Sequence, residues 1–152
     1  MPETKGDVPE HDHVVDTGKS TLSLDELGMI QPGMARIMPE VAQRIWKCFY
    51  AGKAHNKPLA RFQLKEAVNL MEMGVLLRPK YTDNMYKFIE EQVEVVKQAI
   101  ESEDWDKFDA AFHEMVDQAN AYHELYDKPF LRWKVPSQPP PDLDLTPRPK
   151  AK

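Results

Sequence analysis

Four stretches of this chain carry apolar residues at the three- and four-residue spacing of an amphipathic helix, and only short breaks separate them. In the first, about 33–52, Met34, Ile37, Met38, Val41, Ile45, Cys48 and Gly52 fall on one stripe, and Pro39 is expected to bend it. The turn "HNKP" (55–58) leads to a second helix over about 58–77. Pro58 suits its first turn, where a missing N–H costs nothing, and Pro79 stops it. A third begins near Asp83 as cap, with Met85, Phe88, Ile89, Val93, Val96 and Ile100 inward. "SED" (102–104) ends that helix and caps a fourth over about 104–126. Its inner face is Phe108, Phe112, Met115, Val116, Ala119, Tyr122 and Tyr126, and Pro129 prevents continuation. Short loops permit only antiparallel neighbours. The expected fold is therefore all-α, an antiparallel up-down-up-down four-helix bundle.

The flanks read differently. Residues 1–20 are polar and aperiodic and are expected to form a disordered leader. The bundle domain is expected over 21–134 and an extended tail over 135–152, where six prolines block helix and inner strand. "SLDEL" (23–27) predicts a short helix capped by Ser23 and ended by Gly28. No strand is expected, because period-two alternation is absent.

Composition removes several functions. The net charge is −5 over 152 residues, which argues against the basic face that nucleic-acid binding needs. No apolar run approaches the ~20 residues of a membrane span. The first 20 residues lack the apolar segment of a secretory signal, so the expected location is cytoplasmic. One cysteine, Cys48, excludes an internal disulfide and a thiolate cluster.

The stretch "QANAYHELYDKPF" (118–130) puts a histidine and two tyrosines where a plain core helix would carry leucines. At about 100° per residue, His123 falls about 40° from Ala119, within the inner stripe, while His113 falls on the flank. An up-down-up-down bundle brings the start of the first helix beside the end of the fourth. His123 is then expected at the same end as Met34 and Met38. Imidazole facing thioether is one way of holding haem iron, although methionine also fills core gaps.

The segments "IMPEVAQRIWKCFYAGKAHNKPLARFQLKE" (37–66) and "FDAAFHEMVDQANAYHELYDKPFLRWKVPSQPPP" (108–141) resemble the first, second and last helices of the cytochrome c-prime-like family. The likeness covers roughly 31–136. In haem-carrying relatives the last helix holds Cys-x-x-Cys-His. That resemblance places the two cysteines at Ala119 and Tyr122 and the histidine at His123. Both sulfurs are absent, so covalent c-type haem is excluded. The resemblance implies a relative that kept the scaffold and lost the standard cofactor attachment. Its former pocket is expected around His123, Tyr122, Tyr126, Met34, Met38 and Ala119.

The preferred expectation is a haem-free, non-enzymatic accessory or scaffold subunit, with a small apolar ligand in that pocket. The alternative is an electron carrier with noncovalent b-type haem on His123 and Met34 or Met38. A partner face is expected at Trp46, Tyr50, Phe62, Val68, Met71 and Val75. The second helix is apolar on two sides, and surplus apolar surface marks an interface, either a homodimer or a protein partner. Against it stands the option that "PFLRW" (129–133) and "SLDELGMI" fold back and cover the surface. Glu66 is expected to pair with a cation rather than bind metal, "HDH" (11–13) to be solvated, and Cys48 to be a buried hydrophobe. The tail is expected to be a spacer or a strap.

Overall fold

The computed structural model describes residues 13–149. They fall into two compact units that divide between Pro32 and Gly33.

In the first unit, β1 (Val14–Asp16) pairs antiparallel with β2 (Thr21–Ser23), Val15 opposite Leu22. The intervening turn closes on side chains. The Asp16 carboxylate accepts from the Gly18 N–H, and the Thr17 hydroxyl accepts from the Ser20 N–H. Gly18 adopts φ +75°, which glycine tolerates without steric cost. This hairpin corrects the expectation of disorder for residues 14–20 and of a chain without strands. Residues 1–12 lie outside the described residues. α1 (Leu24–Ile30) follows directly, held by a reciprocal capping box between Ser23 and Glu26. The helix passes through Gly28 rather than stopping there. A mid-helix glycine costs only about 1 kcal/mol.

The second unit is helical. α2 (Met34–Lys53) and α3 (Lys57–Leu77) are joined by residues 54–56 and pack along their lengths. A 3₁₀ turn (Pro79–Tyr81) leads into α4 (Thr82–Phe88). A π-helical turn (Ile89–Val93) carries α4 into α5 (Glu94–Ser102), so 82–102 is one continuous rod. α6 (Trp105–Leu125) closes the unit. α5 packs on α6 and α3, and α6 packs on α2. Asp83 lies inside the first turn of α4 and is not its cap, whereas Asn56 and Asp104 do cap α3 and α6. Pro39 sits within α2 and leaves the Ala35 carbonyl without its helical donor.

The core stacks Ile37, Val41, Ile45 and Cys48 of α2 against Phe108, Phe112, Met115 and Val116 of α6. Burying a side chain such as Phe108 or Phe112 stabilises by about 1.5–3 kcal/mol. Full burial raises the Cys48 thiol far above the range where thiolate forms. Gly52 allows close approach of two helices, because a Cβ there would lie 2.3 Å from the Phe108 ring.

The exit from α6 reverses sharply. Asp127 adopts φ 58°, the Lys128 N–H bonds the His123 carbonyl, and the Asp127 N–H bonds the Glu124 carbonyl. This is a Schellman ending without glycine. The chain then returns along α2 as a strap. Asn120, buried, grips Trp133 twice: its amide donates to the Trp133 carbonyl at 2.9 Å and its oxygen accepts from the Trp133 N–H at 2.7 Å. Farther on, the Tyr50 hydroxyl donates to the Pro136 carbonyl, Lys47 pairs with Asp142 at 2.6 Å, and the Asn56 amide donates to the Leu145 carbonyl.

Candidate functional site

Where α2 begins and α6 ends, the helices part and leave a cavity of about 500 Å³. Ligand sites span about 300–1,000 Å³. α2 contributes Met34, Ala35, Met38 and Pro39; α3 contributes Met71; the 3₁₀ turn and α4 contribute Tyr81, Asn84, Met85 and Phe88. α6 contributes Ala119, Tyr122, His123 and Tyr126, and the returning chain adds Lys128 and residues 130–133. The geometry thus brings His123, Tyr122, Tyr126, Met34, Met38 and Ala119 around one space.

Each wall is fixed by a specific contact. Met34 lies over α3 at Gly74, where a Cβ would meet its sulfur at 2.9 Å. The Tyr126 hydroxyl accepts from the Asn84 amide at 2.8 Å, and Tyr81 meets the Tyr126 ring edge-on at 4.7 Å. Tyr122 stands edge-on to Phe88. His123 Nδ1 lies 2.5 Å from the Leu131 carbonyl oxygen, and Trp133 sits edge-on to its ring at 5.8 Å. A carbonyl only accepts, so the Nδ1 carries a proton, and in the neutral tautomer this leaves the lone pair on Nε2. Apart from Lys128 and Arg132 on the returning chain, the wall is otherwise apolar, with four flexible methionines that adapt to irregular shapes.

The expected partner face fares differently. Trp46, Met71 and Val75 are buried, with Trp46 8% exposed, so none of them offers a free surface. Trp46 packs on Phe112 at 6.4 Å and edge-on to Trp133 at 5.5 Å, and the strap also engages Tyr50. Trp133 of the "PFLRW" segment and Pro136 of the Pro-rich tail supply this cover. Phe62 stays about half exposed and Val68 half-buried, beside Ile89 and Val93 in a shallow groove.

Among the described residues, no three His, Cys, Asp or Glu side chains come together as a metal site. Glu66 accepts from the Asn69 amide at 3.4 Å, where a cation was expected. Of "HDH", His11 and Asp12 lie outside the described residues; the His13 carbonyl accepts from the Leu24 N–H. No described helix is long and apolar enough to cross a membrane.

The residues missed from sequence are Tyr81, Asn84, Lys128, Arg132 and Asn120, and Phe88 was expected only as an inward core residue. Tyr81, Asn84 and Phe88 recur at helical spacing, and an amide inside the fourth helix's apolar stripe was the available signal for Asn120. No protein-family model, curated protein or solved structure matches the chain.

Proposed function

We propose that this protein is a non-enzymatic, cytoplasmic four-helix bundle of up-down-up-down topology that holds a small, largely apolar molecule at its His123 end. The supporting observation is the cavity itself, with its methionine and aromatic walls and a minority of polar groups among them. The likeness of its helices to the cytochrome c-prime-like bundles agrees with a ligand at this end. Scaffold or homodimer roles are secondary, because the chain covers most of the face they would use.

The test is uptake of the neutral fluorescent probe N-phenyl-1-naphthylamine. Filling the space should abolish it, through Ala119→Leu within the wall or Ala35→Trp at the exposed rim, with helicity retained. Absence of uptake by the native chain, or uptake indifferent to both changes, refutes the proposal.

Noncovalent haem is the second reading, favoured by the Nδ1 bond to Leu131, which leaves Nε2 as the ligating atom in a cavity shared with Met34 and Met38. Covalent attachment does not fit, since Ala119 and Tyr122 carry no sulfur. Bound haem would supply one-electron chemistry. Haem titration should then give a Soret band that His123→Ala abolishes; no band refutes this reading.

A further inference from the structure

The cavity carries charge of one sign: Lys128 and Arg132 line it and, among the described residues, no aspartate or glutamate does, although the chain holds 25 acidic residues against 20 lysines and arginines. Lys128 makes no ion pair among the described residues. Arg132 reaches Glu124 only at 3.5 Å, with both side chains mostly exposed, a pairing of little strength. The clustering is built by the backbone. The Schellman ending turns Lys128 back beside His123, and the His123 bond to Leu131 holds the next residues, Arg132 included, at the cavity.

We infer that the bound molecule is an amphipathic carboxylate, with its apolar body against the methionines and its carboxylate at Lys128 and Arg132. This rests on the ligand-holding function proposed above. A guanidinium and an ammonium lining one cavity suit a carboxylate, which accepts from both. The apolar body opposite excludes small hydrophilic anions as the preferred ligands. Haem carries carboxylates of its own and belongs to the same chemical class, so the test separates the two sources.

Bound N-phenyl-1-naphthylamine would be displaced with dodecanoate, dodecanol and dodecylammonium, all below micelle formation. Dodecanoate should act at about fivefold lower concentration than dodecanol, with dodecylammonium weakest, as two solvent-exposed charge contacts imply. The Lys128→Gln/Arg132→Gln double variant should erase the gap while still taking up the neutral probe, and added salt should narrow it. In the haem arm, haem should bind more tightly than its dimethyl ester, which lacks free carboxylates. Carboxylate preference in either arm supports the inference and names the source. Equal binding of charged and neutral partners in both arms, with the neutral probe bound, overturns the head-group assignment alone. A native chain that takes up nothing removes the ligand-holding function and this inference together.

Discussion

Replacing Gly52 with alanine tests the helix register that creates the cavity. An added Cβ would lie 2.3 Å from Phe108 Cε1, 2.4 Å from Cζ and 2.9 Å from Cδ1. Carbon atoms pack at about 3.5–4.0 Å. The Phe108 ring is fully buried, and Trp105, Phe112 and Phe49 surround it at centroid distances of 5.8, 5.8 and 6.4 Å. It has no free direction in which to swing. Overpacking of this kind costs about 3 kcal/mol, and the better helix propensity of alanine returns about 1 kcal/mol. The net loss is about 2 kcal/mol, a fall in Tm of about 8 °C for a unit of this size. Urea unfolding followed by circular dichroism gives the measurement. In a Phe108→Leu background the same substitution should cost little, because the obstructing ring is gone. The connection to function is geometric. Gly52, late in α2, meets Phe108, early in α6, while Met34, early in α2, shares the cavity with His123, late in α6, so the two helices run oppositely. Met34 lies about 27 Å back along α2 and His123 about 22 Å forward along α6, so both reach the same end. A Gly52→Ala variant as stable as the native chain, or more stable, refutes this packing.

Two further outcomes concern the strap. Asn120→Leu removes both bonds to the Trp133 backbone and should cost about 1–3 kcal/mol, seen as faster chymotrypsin cleavage around Phe130–Trp133 before global unfolding; unchanged cleavage would contradict the grip. The hydrogen bond from Lys47 holds the Asp142 carboxyl below its ordinary value. The folded value lies below the unfolded one, so this support is complete above the ordinary carboxylate range and is lost as pH falls through the lowered value. Carboxyl titration by NMR should show Lys47→Gln moving Asp142 back upward, and no movement would remove the ion pair from the account.

Much of the helical framework was legible because its punctuation is chemical. Asn56, Pro58 and Asp104 act at helix starts through caps and a spared N–H, and they place α3 and α6 to within a residue. The inner faces of α2 and α6 followed from their spacing, and with them the placing of His123 near Met34 and Met38. Other features left weaker traces. Each strand of the hairpin is three residues long, too short for alternation to register. The π-helical turn at Ile89–Val93 shifts the helical phase between α4 and α5, so one strict period does not carry from Asn84 and Phe88 to Val96 and Ile100, and Tyr81 lies before the rod in a 3₁₀ turn. Trp46 and Tyr50 were misjudged for a different reason. A stripe argument ranks helix faces by apolar content and does not decide whether an extended segment lies on them; the weighed alternative, fold-back of "PFLRW", supplies Trp133 on the back of α2, and Pro136 follows it. Asn120 belongs with that segment, and its buried amide has meaning only once Trp133 has folded against it.

The central claim is that the space between the start of α2 and the end of α6 holds a ligand. Methyl NMR of ¹³C-labelled methionine tests it most directly. On adding N-phenyl-1-naphthylamine, the methyls of Met34, Met38, Met71 and Met85 should shift together and saturably, while Met73 and Met29, exposed and outside the cavity wall, and Met115 in the core should stay in place. Shifts confined to Met29 and Met73, or no shifts at all, would contradict it.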